Sequence, residues 1–507
     1  MRHTIGLDVG TTSVKAGLLA EDGRMLAVAG EEYSLRHPAP DRAELDADTY
    51  WTSAVSAVRR VLAAGAVDPA SVASIGVSSQ GETVTPVDAA GAPVGPAQVW
   101  LDNRALAESR AIEEAFGTAA IYDATGVPAV FPTWTACKIL WLRRHEPATF
   151  AAARRFLLVE DLMLHRLTGR FVSEGGVQST SLLYDIRSHD WWPPMLDMVG
   201  IGTERLPELI RPGDVAGTLS TAAAEALGLP RSVLVVAGGM DQGAGAVGVG
   251  NVGSGVVSES TGGALTLQAS VDRPDGDPSR QTPVYVHSAP DTYLYCPVCP
   301  TGGMALTWFR DSFGGEEVAR AAAEGTSAYD LLTALAAEVP PGAEGLTMLP
   351  HLMGAFSPEY EPEARGAFYG FTLRHGKGHA VRAILEAVAF MLRRNLALLE
   401  AAGAPAHEVR SHGGGSRSEL WNRIKADVCG IPVVTLQGED AALRGDAMLA
   451  GVAAGLFADL DAATAVAVAT KRRYDPDPAA RRACDEAYAR YLKLFDAVRP
   501  MFAPHRT

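Results

Sequence analysis

The chain has 507 residues, 47% of them hydrophobic and 20% charged, with a formal net charge of −15. One hydrophobic core rarely serves more than about 250–300 residues, so at least two domains are expected, and the composition excludes extended disorder. The acidic balance, with no unbroken basic run longer than Lys471-Arg472-Arg473, argues against nucleic acid as a partner.

The opening apolar stretch is broken early by Asp8, and residues 232–257 are rich in glycine and interrupted by Asp241. Neither pattern suits a secretory leader or a bilayer span. Five cysteines, an odd number in a chain this long, argue against a disulfide framework. A soluble cytoplasmic protein with no membrane partner is expected.

In chain order, Ile5, Leu7 and Val9 share one face of a strand and Asp8 takes the other. Gly10-Thr11-Thr12 makes a turn, after which Val14, Ala16 and Leu18 resume the period of two with Lys15 opposite them. A third strand at 24–29 follows the Asp22-Gly23 turn and completes an antiparallel meander. Asp48 is a candidate cap for a helix carrying Trp51, Val55, Val58 and Leu62 and ending at Gly65. A buried strand over 75–79 leads into Gln80-Gly81-Glu82-Thr83, at the carboxyl end where open α/β sheets hold ligands. Trp100-Leu101-Asp102-Asn103-Arg104 precedes a helix over 105–116.

Another buried strand, 232–237, turns through Gly238-Gly239-Met240-Asp241-Gln242 into the small residues 243–250, against which something must pack closely. Strands at 255–260 and 264–268 then flank Thr261-Gly262-Gly263 and repeat the strand, turn, strand order of the opening. Two similar halves follow, divided near residues 251–254. Val381, Ile384, Leu385, Val388, Leu392, Leu396 and Leu399 keep a helical period and read as core. A strand ending at His412 meets Gly413-Gly414-Gly415 and a helix over 418–429, and charged helix dominates beyond Thr470.

Phosphate binding needs backbone N–H donors, a cation and no obstructing side chain. Gly6-x-Asp8-x-Gly10-Thr11-Thr12-x-x-Lys15 supplies these, although an ordinary hairpin satisfying its own turn has the same letters. The second Gly/Thr turn favours the phosphate reading. Gly248-x-Gly250-x-x-Gly253 does not follow a strand and is rejected as a dinucleotide site, and Cys296-x-x-Cys299 lacks a second ligand pair for zinc. Asp241 is either a plain helix cap or a carboxylate held toward a cleft. Transfer of a γ-phosphoryl group to an alcohol needs a base, Mg²⁺ and donors around the charged oxygens, roles that Asp241, Asp8 and the two turns fill.

Four motifs occur in order: Gly6-Leu7-Asp8-Val9-Gly10-Thr11-Thr12, Trp100-x-Asp102-x-Arg104, Gly239-Met240-Asp241-Gln242-Gly243-Ala244-Gly245-Ala246, and Gly413-Gly414-Gly415-Ser416-Arg417-Ser418 with Trp421. Over most of its length the chain thereby resembles the FGGY family of carbohydrate kinases, within the actin/hexokinase-like ATPases. The resemblance implies an α/β fold of two ribonuclease-H-like domains flanking a central cleft. It implies a sugar-binding N-terminal domain at 1–252 and a nucleotide-binding C-terminal domain at 253–507 with a helical extension.

By the same resemblance Asp241 is the catalytic base, and Gln80, Gly81, Glu82, Trp100, Asp102 and Gln242 bind the sugar. Gly10, Thr11, Thr12, Ser13 and Lys15 form the first phosphate loop. Thr261, Gly262 and Gly263 form the second, and Gly303, Gly414 and Ser418 belong to the nucleotide pocket. Asp8 and Asp241 lie near Mg²⁺. The expected partners are ATP and a small-molecule sugar or polyol, with homodimer assembly left open.

Gln80-Gly81-Glu82-Thr83 matches neither the Gln-Met-His-Gly of xylulokinases nor the Gln-Arg-Glu-Thr of glycerol kinases in full. Glu82 and the Asp241-Gln242 pair resemble glycerol kinases, whereas Trp134-Thr135-Ala136-Cys137-Lys138 resembles xylulokinases. A carboxylate at 82 accepts hydrogen bonds from hydroxyls and repels sugar acids, which favours a neutral ketose or polyol over gluconate. A xylulokinase-like pentulose kinase is expected first, a polyol kinase second, and a chaperone-like or non-catalytic ATPase third.

Overall fold

The computed structural model describes residues 1–438 and 440–502. The chain forms two compact units: Met1–Gly253 with Ser270–Leu294 and Asp440–Ala469, and Ser254–Ala269 with Tyr295–Glu439 and Thr470–Thr507. These compact units are not the linear halves 1–252 and 253–507, because two later segments fold back onto the first.

The sheet of the first unit runs, edge to edge, Val215–Thr218, Leu234–Met240, Val72–Ser79, His3–Val9, Ser13–Ala20, Met25–Glu32. Leu234–Met240, Val72–Ser79 and His3–Val9 are parallel to their neighbours in that group, and the outer strands are antiparallel. The opening hairpin pairs Asp8 with Lys15, as the alternation requires, while the third strand runs further than the expected 24–29. Ile5, Leu7 and Val9 are buried on one face beside Tyr50, Ala54, Val58 and Val61 of the helix Asp48–Gly65. Asp48 lies in that helix's first turn and pairs with Arg166; the cap position is Ala47, which makes no side-chain cap.

The opposite face carries the helix Ala441–Ala453 so closely that glycine is needed beneath it. A Cβ on Gly6 would lie 1.9 Å from the Leu443 carbonyl oxygen, and one on Gly76 would lie 2.1 Å from that of Asp446. The same helix packs on Asp241–Gly248, where a Cβ on Gly248 would come within 1.8 Å of the Ala441 oxygen and one on Gly445 within 1.8 Å of the Ala244 oxygen. Small residues on both helices permit that approach, and it draws residues 440–469 into the first unit. The strand before Asp241 runs on to Met240, past the expected end at 237, through a register shift between Ala237 and Gly239.

In the second unit Val256–Thr261 and Leu265–Val271 form an antiparallel hairpin. Glu408–His412 lies parallel to the first of these, Val433–Leu436 parallel to it in turn, and Thr470–Tyr474 antiparallel at the edge. Hairpin, two parallel neighbours and an antiparallel edge strand thus occur in the same order in both units. The helix Lys377–Ala401 buries Val381, Ile384, Leu385, Val388, Leu392, Leu396 and Leu399 as its period predicts. Cys296 and Cys299 are buried, and neither takes part in a disulfide. Among the described residues, no helix is long and apolar enough to cross a membrane.

Candidate active site

Three strand ends of the first unit converge. Asp8 is the penultimate residue of His3–Val9, Gln80 follows Val72–Ser79, and Asp241 follows Leu234–Met240. Burial and the neighbouring charge of Asp241 push Asp8 up to about 7, with Lys15 opposing the rise. Burial likewise pushes Asp241 up to about 6; its hydrogen bonds with Gln242 oppose the shift and the charge of Glu82 adds to it. Carboxyls displaced in this way cluster at functional sites.

Asp446, which the sequence reading missed, belongs to this cluster. Burial and the charges of Asp8 and Asp241 raise its carboxyl well above the usual range. Its Oδ2 accepts from Ser78 Oγ at 2.8 Å, and its Oδ1 has no hydrogen-bond partner among the described residues. An acid between the two small residues Gly445 and Ala447 is the signal that would have found it. Crowded carboxylates with an unpaired buried oxygen suit a hard cation, and Mg²⁺ characteristically takes one or two carboxylates together with phosphate oxygens and water. Among the described residues no group of three or more His, Cys, Asp or Glu side chains is arranged to hold a metal by itself.

The first turn is held by neutral groups. The Gly10 N–H donates to the Ser13 carbonyl at 3.0 Å. The Gly10 carbonyl accepts from Tyr33 Oη at 2.6 Å and Gln80 Nε2 at 3.1 Å. Thr11 Oγ1 donates to Gln80 Oε1 at 3.1 Å and accepts from Trp100 Nε1 at 2.7 Å. Both ends of the Gln80 amide are therefore engaged in holding the turn, since Nε2 also donates to Tyr50 Oη at 3.0 Å. Thr12 and Lys15 are exposed, and Lys15 pairs with Asp440 at 2.9 Å.

Asp102 is similarly committed. Its carboxylate accepts from Arg104 Nε at 2.8 Å, from Arg104 NH2 at 2.7 Å and from the Ala43 N–H at 2.8 Å, and the side chain is fully buried. It fixes the loop that carries Trp100. Glu82 sits at φ 63°, and its N–H donates to Thr180 Oγ1 at 2.9 Å. Gly81 has no room for a Cβ, which would meet the Thr180 side chain at 2.7 Å. Burial pushes the Glu82 carboxyl up to about 7 against the pull of the Lys138 ammonium. Lys138, a second residue whose role the sequence did not reveal, is fully buried and donates to the carbonyls of Glu82, Gln98 and Val99 at 3.3, 3.3 and 2.8 Å.

In the second unit all six expected residues, Thr261, Gly262, Gly263, Gly303, Gly414 and Ser418, line one cavity of about 310 Å³. The N–H groups of Gly302, Gly303 and Met304 donate to the carbonyls of Gly263, Gly262 and Gly263 at 2.7, 2.8 and 3.1 Å. A Cβ on Gly303 would lie 2.5 Å from the Gly262 oxygen, so this approach also needs glycine. Ser418 caps the helix Glu419–Cys429 by accepting from the Trp421 N–H. The cavity volume is at the small end of ordinary ligand pockets.

The N-terminal domain of the FGGY family of carbohydrate kinases matches residues 3–248, and the C-terminal domain of that family matches residues 261–454. The chain belongs to the FGGY family of carbohydrate kinases. As a member it is a phosphotransferase with an alcohol acceptor. It is 30% identical to the xylulose kinase of Escherichia coli over 89% of this chain and 90% of that protein. It is 27% identical to the gluconokinase of Bacillus subtilis over 93% and 91% of the two chains. The crystal structure of xylulose kinase from Rhodospirillum rubrum aligns with a TM-score of 0.91 at 30% identity, covering 99% of this chain and 100% of that one. This FGGY kinase thus shares its fold along nearly its whole length with enzymes named for different sugars.

Proposed function

We propose that this FGGY kinase transfers the γ-phosphoryl group of ATP to a hydroxyl of a neutral ketose, a pentulose of the xylulose class first, with Asp241 as the base. The observation that carries the reading is the carboxyl of Asp241, half-buried at the carboxyl end of the central strands and electrostatically coupled to Asp8 and Glu82. With its pKa raised only to about 6, Asp241 is largely ionised at neutral pH and able to accept the proton of an alcohol. Asp8 and Asp241 are the residues to hold Mg²⁺, with Asp446 behind them. Mg²⁺, when bound, neutralises charge on the phosphate oxygens.

Each unit then has a distinct part. The first, centred on residues 1–252, binds sugar through Glu82, Gln242, the Trp100 side chain and the Gly81 backbone. Gln80 and Asp102 act by positioning, because their polar atoms hold the first turn and the Trp100 loop. Gly10 to Ser13, with Lys15, face phosphate. The second unit, within 253–507, binds the nucleotide in the cavity bordered by Thr261 to Gly263, Gly303, Gly414 and Ser418. A cytoplasmic location accords with the use of ATP.

The neutral substrate follows from Glu82, whose carboxylate, adjoining that of Asp241, accepts from hydroxyls and disfavours an added acid group. A polyol kinase is the second reading, favoured by the Glu82 and Asp241-Gln242 combination. ADP release coupled to a panel of D-xylulose, D-ribulose, glycerol and gluconate tests both. The highest kcat/KM is expected with a pentulose; highest turnover with glycerol establishes the second reading, and tighter binding of gluconate than of every neutral sugar removes the argument from Glu82.

A further inference from the structure

Beneath the second turn lies an ion pair that takes no part in the chemistry above. Glu259, on the strand Val256–Thr261, and Lys425, on the helix Glu419–Cys429, have side chains with no solvent exposure. Lys425 Nζ donates to Glu259 Oε1 and, at 2.9 Å, to Thr261 Oγ1. Thr261 Oγ1 in turn donates to Glu259 Oε2 at 2.7 Å, and Ser411 Oγ donates to Glu259 Oε1. The Lys425 ammonium also stands 5.3 Å from the centroid of the Trp421 ring. Thr261 and Trp421 both line the cavity.

Taking two charges fully out of water costs several kcal/mol per ion, and an apolar pair of similar volume is often as stable or more so. Stability alone is therefore a weak reason for such a pair. Its geometry supplies another. The proton of the Thr261 hydroxyl goes to Glu259 and one lone pair is taken by Lys425, so the hydroxyl is turned inward. The Thr261 side chain then packs against Gly415, where a Cβ would come within 2.6 Å of the Thr261 Cβ. The Gly262 N–H donates to the Ala264 carbonyl at 3.0 Å and the Gly262 and Gly263 carbonyls accept from residues 302–304, so among the described residues the Gly263 N–H is the main-chain donor of this turn left to meet a ligand.

We propose that the Lys425–Glu259 pair is the positioning element of the nucleotide pocket, holding the Thr261 hydroxyl away from the phosphates and fixing the Thr261-Gly262-Gly263 turn and the Trp421 ring together. The inference rests on the reading of this cavity as the nucleotide site. Neither charged residue reaches the nucleotide; both act through Thr261 and Trp421.

The test compares wild type with the double variant Glu259→Leu/Lys425→Leu, which removes both charges and leaves neither unpaired. Thermal unfolding, calorimetric titration with Mg-ATP, and KM for ATP and for sugar are measured on each. The expected result is a melting temperature close to wild type, ATP binding weakened about tenfold or more with KM for ATP rising in step, and an unchanged KM for sugar. Wild-type ATP affinity in the folded double variant overturns the proposal, because a released Thr261 hydroxyl would then serve as well as a restrained one. Thr261→Val and Thr261→Ser provide the test if the double variant is not recovered folded: ATP affinity falls in the first and is kept in the second, and equal affinities overturn the proposal. Failure of the cavity reading is recognised separately, since Gly303→Ala would then leave ATP binding untouched, and that result removes the proposal with it.

Discussion

In the first unit the hairpin turn after Val9 is clamped by the Gln80 amide, the Tyr33 hydroxyl and the Trp100 indole, and its cation, Lys15, is 46% exposed on the outside. In the second unit the equivalent turn after Ser260 stands on a lysine and a glutamate with no exposure at all. One supersecondary element has thus been stabilised in two ways. Neutral clamps leave Thr12 and Lys15 at the surface, whereas the buried pair faces Thr261 inward and leaves the backbone to be read. Charge is also distributed differently. The first unit gathers Asp8 and Asp241 at its strand ends with Asp446 of the helix Ala441–Ala453 against them, whereas the second gathers glycines around a cavity.

Glycine substitutions break the comparison most strongly. Gly303→Ala should raise KM for ATP at least tenfold and leave KM for sugar unchanged, because its Cβ meets the Gly262 carbonyl. Gly81→Ala should do the reverse, because its Cβ meets Thr180 beneath Glu82. Steady-state kinetics with each substrate varied in turn reads both, and equal effects on the two KM values would falsify the division of labour.

The acidic cluster sharpens the comparison through pH. With a base near 6, kcat/KM should fall about tenfold per pH unit below about 6. Stability moves the other way. Asp8, Asp161 and Asp241 have folded pKa values of about 7, 7 and 6. An unfolded carboxyl titrates near about 4. The folded chain therefore holds more protons across that window, and stability falls as pH rises through it. The ligand-free protein should melt several degrees higher at about pH 5.5 than at about pH 8; a melting temperature rising over that interval contradicts the assignment. The smallest effect belongs to the exposed pair: Lys15→Met should cost no more than about 1 kcal/mol in urea unfolding, since exposed ion pairs contribute about 0–1 kcal/mol.

Local pattern reveals much of this molecule. Alternation at Ile5, Leu7 and Val9 shows the hairpin and the side on which Asp8 lies, and the heptad-like spacing from Val381 to Leu399 shows the long core helix. The six residues expected around the nucleotide share one cavity because glycine-rich turns leave a signal in the letters. Partnerships between distant residues leave none. Gly6 is glycine because of Leu443, and Gly248 because of Ala441. Gln80 and Asp102 look like free polar groups until Thr11, Tyr50, Arg104 and Ala43 are seen to use them. Lys425 reads as one more helix charge until Glu259, 166 positions away, is found against it.

The role of Asp241 as base is tested most directly by Asp241→Asn, which keeps shape and hydrogen-bonding capacity and removes the proton acceptor. Turnover of the preferred sugar with saturating Mg-ATP should fall by about 10²–10⁴-fold, the usual worth of a positioned base, while calorimetry shows nucleotide binding little changed. Undiminished turnover, or a loss of activity that only follows a loss of ATP binding, would contradict it.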